Sequence, residues 1–310
     1  MAFSKIKPLI VTLCAMLYAP GMAIACDQNF FGGSLTELRR HAHQQFSVAK
    51  ERAWSRGRLT RAQVEALKIK DATHDLATIR LSAGTSVELT DYFLRVSLHL
   101  AVMDTFNFIA AESISAEQRA EASIVFEQRL QESARNGWSI KYYPLEALGL
   151  SSSECWEIVR KTSFDVQTHF SIIVRTVWEF WFLHEIAHAA LDHRPGLAGR
   201  ASWKQEYASD IWAVEVLRDS LSTDLFIFTS NSITRSMGIF AGSQVVEIFG
   251  NSLTHPSPAC RELRLLELVD EVYENRFVGP HDPLLRFNGE ANNARLEYLQ
   301  GSIQNSSVRC

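Results

Sequence analysis

Apolar residues recur at helical spacing along most of the chain. From Ser163 to His193 they continue almost without a break, which predicts a helix of about thirty residues. Arg175 and Glu179 within this run argue against a membrane span. The segment Leu89–Ala111 has the same spacing and predicts a second buried helix.

Capping motifs mark the starts of the more polar helices. The pattern Ser/Thr-x-x-Glu/Gln begins at Ser34, Thr60, Ser115 and Ser202. Such residues satisfy the free N–H groups in the first turn of a helix. A further helix is predicted over Ala259–Tyr273, followed by a polar tail rich in Asn and Ser.

Alternating polar and apolar residues are less common than the helical pattern. They predict short strands at Leu76–Leu81 and Trp138–Tyr143. Since helices dominate, the predicted fold is α+β and predominantly helical. We expect an N-terminal helical region with short strands at residues 26–150 and a second region at 151–310, which could together form one compact domain.

The N-terminus has the pattern of a signal peptide over residues 1–25. Lys5 and Lys7 precede a short apolar run, and Ala23-Ile24-Ala25 forms a cleavage site before Cys26. The run is too short for a spanning helix. The sequence therefore predicts an exported protein, periplasmic or secreted, without a stable membrane span. An uncleaved anchor and a lipidated Cys26 are the alternatives.

Charge and cysteine content fit an exported protein. Cleavage removes Lys5 and Lys7 and leaves 29 basic against 35 acidic residues, a formal charge of −6. With no basic run, nucleic acid is not expected as a partner. Four cysteines remain and could form two disulfides, whose pairing stays open: Cys26, Cys155, Cys260 and Cys310.

The long apolar helix ends with the sequence His184-Glu185-Ile186-Ala187-His188. On a helix, residues i and i+4 lie on one face, so the imidazoles of His184 and His188 converge. Two neutral imidazoles make half of a tetrahedral zinc site. Glu185, about 100° around the helix, can hold a water molecule instead of binding the metal.

A third ligand is predicted on the next helix. Glu206 lies 18 residues after His188, enough for a turn and an antiparallel return. Two His and one Glu with an open fourth position form a catalytic zinc site, here with one Zn²⁺ per chain. Asp210, one turn beyond Glu206, is placed to accept the second ring N–H of a ligand histidine.

Other residues compete for these roles. Asp192 is the second choice for the third ligand, and Glu215 is a more distant one. His193 is nine positions from His184, about 180° around an unbroken helix, so we expect it to point away. There it would interact with the carbonyl groups at the helix end.

His184–His188 followed by Glu206-Tyr207-Ala208-Ser209-Asp210 resembles the H-E-x-x-H…E-x-x-x-D pattern of gluzincin metallopeptidases, closest to the HtpX-type group without its membrane helices. The segment Thr254–Pro258 resembles the His-Pro segment of that group. The resemblance implies a zincin-like catalytic core with a short-stranded sheet and an active-site helix pair. It also implies metal ligation by His184, His188 and Glu206. A fainter likeness is to the Lit-type peptidases.

These observations favour hydrolysis of peptide bonds in a protein or peptide substrate. Glu185 would act as the general base, and a second residue would stabilise the developing oxyanion. Candidates for that donor are His255, Tyr207 and Arg261. His255 could instead block the metal or cap a turn. A latent or inactive zinc-binding envelope factor, and a zinc hydrolase of non-peptide amides, are the alternative functions.

Overall fold

A computed structural model describes residues 35–72, 80–82, 85–109, short pieces between 114 and 129, and residues 149–161, 166–194, 197–242, 255–274, 283–306 and 310. The predicted signal peptide and the predicted strand Trp138–Tyr143 lie outside these residues. The same holds for most of the predicted strand Leu76–Leu81.

Helices make up most of the described chain. The long apolar run forms a helix over Val166–Ala190, and the second buried segment forms one over Asp91–Ile109, which confirms both predictions. Within the described residues, no helix is both long and apolar enough to cross a membrane. The helices are α1 (Leu35–Ser55), α2 (Arg61–Ala66), α3 (Asp91–Ile109), α4 (Ser152–Lys161), α5 (Val166–Ala190), α6 (Arg200–Ser220), α7 (Thr223–Gly242), α8 (Pro258–Glu274) and α9 (Pro283–Gln304).

In the part of the chain that the structure describes, one small sheet accompanies the helices. Its strands are β1 (Lys68–Asp71), β2 (Arg80–Ser82) and β3 (Ser86–Leu89), with β3 in the centre. β3 pairs parallel to β1 and antiparallel to β2. Val87 and Leu89 of β3 are buried, which anchors the sheet to the helical core. The α+β, predominantly helical fold is thus confirmed.

The helix α5 lies at the centre of the core and packs against α1, α3, α6 and α7. Phe182 meets Phe46 of α1 and Phe93 of α3 with ring centroids 5.5 Å and 6.2 Å apart. Full burial of each such ring stabilises the fold by about 1.5–3 kcal/mol. The C-terminal turns of α5 are therefore held on several sides. Because α1 and α3 share this cluster with α5, the two predicted regions are in contact, and a boundary near residue 150 stays a prediction.

The polar tail contains a helix that its composition did not indicate. α9 packs on α7 and α8, with Leu299 buried and Arg295 bonded to the buried Glu262 at 2.7 Å. Cys260 at the start of α8 forms a disulfide with Cys310. Cys155 is disulfide-bonded as well, so disulfides are present as expected.

The reciprocal capping bonds form at two of the predicted positions, and a third position, Ser34, lies outside the described residues. Thr60 and Gln63 form the complete reciprocal box, and Ser115 exchanges the same bonds with Gln118. The prediction at Ser202 is wrong, because α6 begins at Arg200, with Gly199 preceding it at φ 62°. Positive φ favours glycine, and the chain uses this residue to turn into α6.

Candidate metal centre

The two histidines of the motif lie on the last turns of α5. Their ring centroids are 5.0 Å apart, and the Nε2 atoms of His184 and His188 lie 3.3 Å from each other. After residues 191–199, the chain returns as α6, which packs along α5 and carries Glu206. The helix periodicity and the short connection together bring the three side chains to one place.

The ligand atoms of these three residues are almost evenly spaced. Glu206 Oε2 lies 3.4 Å from His184 Nε2, and Glu206 Oε1 lies 3.5 Å from His188 Nε2. In a tetrahedral site with metal–ligand bonds of about 2.0–2.1 Å, neighbouring ligand atoms are about 3.3–3.4 Å apart. The group can therefore hold a metal ion, and two imidazoles with one carboxylate suit Zn²⁺.

The outer nitrogen of His184 faces Asp210. The distance from His184 Nδ1 to Asp210 Oδ1 is 2.8 Å, and both side chains are buried. Arg261 of α8 donates to both oxygens of Asp210, at 2.9 Å from Nε and 2.7 Å from Nη2. Its Nη1 also lies 3.4 Å from Glu206 Oε2. The buried guanidinium thus contacts two carboxylates of the cluster, whereas the sequence analysis proposed Arg261 as a candidate donor to the developing oxyanion.

The position of His193 differs from the prediction. Its Nδ1 lies 2.9 Å from His188 Nδ1, and the two rings meet edge to face with centroids 4.9 Å apart. The prediction was wrong because α5 ends at Ala190 and is not continuous to His193. Asp192 adopts φ 51°, and the His193 N–H donates to the His188 carbonyl at 2.9 Å. This Schellman ending turns His193 back toward the helix.

Charges around the cluster set its protonation. Burial alone would lower the pKa of His184, but hydrogen bonds to Asp210 and Glu206 outweigh burial and raise it to about 9. Burial, with His184 nearby, lowers the pKa of His188 to about 3. Burial opposes ionisation of Glu206, yet His184 and Arg261 hold the pKa of Glu206 well below its usual range. At neutral pH these shifts favour the metal-binding forms of His188 and Glu206, whereas His184 must lose a proton to bind a metal.

Other predicted residues surround the group at different distances. Glu185 is buried on α5. Burial would lower the pKa of Arg261, but the carboxylates of Asp210 and Glu206 raise it, with a smaller effect from Glu185. His255 precedes α8, and its Nε2 lies 3.6 Å from Glu206 Oε1. The guanidinium carbon of Arg264 lies over the ring of Tyr207, 4.0 Å from the ring centroid.

The competing ligands lie apart from this group. Asp192 is exposed at the end of α5. Glu215 forms an ion pair with Arg58 at 2.9 Å, with both side chains about a third exposed. Among the described residues, neither joins the cluster formed by the two histidines and Glu206.

Trp181 is a contact of the site that sequence reasoning missed. Its ring lies 5.6 Å from that of His184 and 5.8 Å from the Arg261 guanidinium carbon. Its Nε1 donates to Ser236 of α7 at 2.9 Å. Trp181 therefore packs against His184, the first histidine of the motif, and connects it to α7 in the core. The available signal was its position three residues before His184, which places both on one helix face.

Comparison with protein families gives one match. The family model described as Peptidase U49 matches residues 112–277, more than half of the 310 residues and all of the cluster described above. This family is Lit-like, so it agrees with the fainter of the two resemblances, while the narrower likeness to the HtpX-type group stays a prediction. No curated protein and no solved structure matches the chain. The extent of the family match shows that the chain belongs to the Peptidase U49 family.

Proposed function

We propose that this protein is an exported, zinc-dependent endopeptidase in which Glu185 activates the attacking water. Membership of a peptidase family supports hydrolysis of a protein or peptide substrate. The observation that carries the proposal is the even spacing of the ligand atoms of His184, His188 and Glu206, at 3.3–3.5 Å. These three residues would hold one Zn²⁺ per chain and leave a fourth position open.

The bound zinc would supply a Lewis acid that lowers the pKa of water and polarises the substrate carbonyl. The Glu185 carboxylate takes the proton of the attacking water and then delivers it to the leaving amine. His255 Nε2 donates a hydrogen bond to the carbonyl oxygen as negative charge develops there. Asp210 orients His184, and Arg261 fixes Asp210 and Glu206 through its buried guanidinium.

Export is supported by the signal-peptide pattern and the disulfides. Residues 1–25 carry that pattern, and the Cys260–Cys310 bond suits an oxidising compartment. We therefore place the mature protein in the periplasm or outside the cell. N-terminal sequencing of the secreted form should give Cys26 as its first residue, and recovery of an intact Met1 terminus would contradict the proposed cleavage.

A latent zinc-binding envelope factor is the second candidate. The short distance from His255 Nε2 to Glu206 Oε1, 3.6 Å, favours it, because an imidazole so close to a ligand could occupy the open position. In that case His255→Ala would create peptide hydrolysis that the wild type lacks. In the endopeptidase, the same change lowers an activity that is already present.

The ligand assignment is tested by comparing two carboxylates on α6. Glu206→Gln removes the charge that faces both imidazoles, whereas Glu215→Gln changes a partly exposed carboxylate about two and a half turns further along. We expect Glu206→Gln to lose bound zinc and peptide turnover together, and Glu215→Gln to retain both. Metal analysis and hydrolysis of casein measure the two outcomes. Full zinc content in Glu206→Gln would overturn the ligand assignment.

A further inference from the structure

We propose that His193 is a positioning residue that holds His188 in the tautomer and orientation needed for metal binding. The inference rests on the proposed zinc site. Helical spacing alone would exclude His193 from the site, because that spacing assumes an unbroken helix. Its basis is a direct contact of 2.9 Å between the Nδ1 atoms of the two rings.

Two imidazole nitrogens at this distance require one proton between them. His188 Nε2 faces the cluster, 3.3 Å from His184 Nε2, so that nitrogen must keep its lone pair to bind a metal. The proton of neutral His188 then resides on Nδ1, which donates to Nδ1 of His193. His193 in turn carries its own proton on Nε2. The contact therefore selects the tautomer of His188 that presents Nε2 to the metal.

The surroundings of His193 hold its ring in place. The Schellman ending of α5, with Asp192 at φ 51°, fixes the backbone. Ser209 of α6 places its Oγ 3.4 Å from His193 Nδ1, the same atom that faces His188. Ser209 lies between Glu206 and Asp210 on the buried face of α6. The helix α6 thus supplies the proposed ligand Glu206. Its Asp210 contacts the outer nitrogen of His184, and its Ser209 contacts His193.

Each ligand histidine then has its own outer acceptor. Asp210 accepts from His184, and His193 accepts from His188. The two acceptors differ in charge: a carboxylate faces the fully buried His184, and a neutral imidazole faces the partly exposed His188. A neutral acceptor adds no further negative charge to a cluster that already contains Glu206 and Asp210.

Replacement of His193 separates hydrogen bonding from packing. Asn places Oδ1 near the position of Nδ1 and can accept the same hydrogen bond, whereas Leu is larger than Asn and accepts none. We expect His193→Leu to weaken zinc binding by about 10–100-fold and His193→Asn to stay close to the wild type. Asp192→Asn, an exposed neighbour that tolerates positive φ, is the matched control and should change nothing.

Zinc affinity is measured by competition with a chromophoric chelator, with circular dichroism of the metal-free variants as the check on folding. If His193 only fills space, Leu will bind zinc at least as well as Asn, and the inference is overturned. Equal affinity in wild type, Leu and Asn variants overturns it too. Should His193→Leu fail to fold, a 10-fold or greater loss in His193→Asn would still contradict the inference. Absence of zinc binding in the wild type would instead refute the proposed function on which it rests.

Discussion

The ion pair between Asp210 and Arg261 gives the most quantitative test of how the cluster is built. Asp210→Asn preserves side-chain volume but removes the charge that faces the Arg261 guanidinium and His184 Nδ1. Arg261 is only 2% exposed, so its guanidinium stays out of water, and the carboxylate of Glu206 remains 3.4 Å away. Removing one partner of a buried ion pair costs about 3–5 kcal/mol.

Because Glu206 still compensates part of the charge, we expect Asp210→Asn to lower the free energy of unfolding by about 3 kcal/mol. The assay is urea denaturation of the metal-free protein in the presence of a chelator. Glu215→Gln is the control, since it breaks the partly exposed pair with Arg58 and should cost less than about 1 kcal/mol.

The same variant has a second consequence for the metal. The amide of Asp210→Asn offers His184 only a neutral acceptor, so the charge-assisted hydrogen bond is lost and zinc affinity should fall by about 10–100-fold. A double variant, Asp210→Asn with Arg261→Met, removes the stranded charge and should recover part of the stability but not the zinc affinity. If Asp210→Asn proves as mild as Glu215→Gln in unfolding, the reasoning about the buried charges is wrong.

Two further predictions concern stability away from the cluster. Burial lowers the pKa of His99 and of His169 to about 3. Each therefore stabilises the fold fully above pH 6.5, and about 1.4 kcal/mol of that contribution is lost per pH unit below it. In urea titrations between pH 6.5 and 5, the free energy of unfolding should fall less steeply in His169→Asn than in the wild type, and equal slopes would contradict the assignment. The new Cβ of Gly301→Ala in α9 meets no atom within 4 Å, so this variant should gain about 1 kcal/mol in the free energy of unfolding. Gly238→Ala places its Cβ 3.1 Å from Glu262 Oε2 and should gain no stability. A full gain for Gly238→Ala in thermal unfolding would show that Glu262 moves freely.

The parts of the site that follow from helix periodicity could be predicted from the sequence. His184 and His188 share a face because they are four residues apart in a strongly apolar helix. The spacing to Glu206 allowed a return helix, and Asp210 followed one turn later. The structure brings these four side chains together at 2.8–3.5 Å. Local spacing was sufficient here because only two adjacent helices are involved.

The contacts that depend on where a helix ends could not be predicted. His193 was expected on the far side of α5, yet the helix stops at Ala190 through a left-handed Asp192. Aspartate adopts that conformation less often than glycine, so the sequence carried no clear stop signal there. The glycine signal lay at Gly199, which immediately precedes α6 and lies three residues before the predicted Ser202.

Contacts between distant segments were also beyond the sequence pattern. Arg261 was identified as a candidate, but its bonds to Asp210 span 51 positions and require the packing of α8 on α6. The helix α9 is polar on average and depends on contacts such as Arg295 with Glu262. Such pairs have no local spacing rule, because tertiary packing decides them.

The central claim is tested most directly by metal content and peptide turnover in wild type and Glu185→Gln measured side by side. The account predicts about one zinc per chain in both proteins, because Glu185 is not a ligand, and turnover reduced by about 10²–10⁴-fold in the variant, because the proton acceptor is gone. Wild-type turnover in a zinc-loaded Glu185→Gln protein, or a wild type that hydrolyses peptides without any zinc, would contradict it.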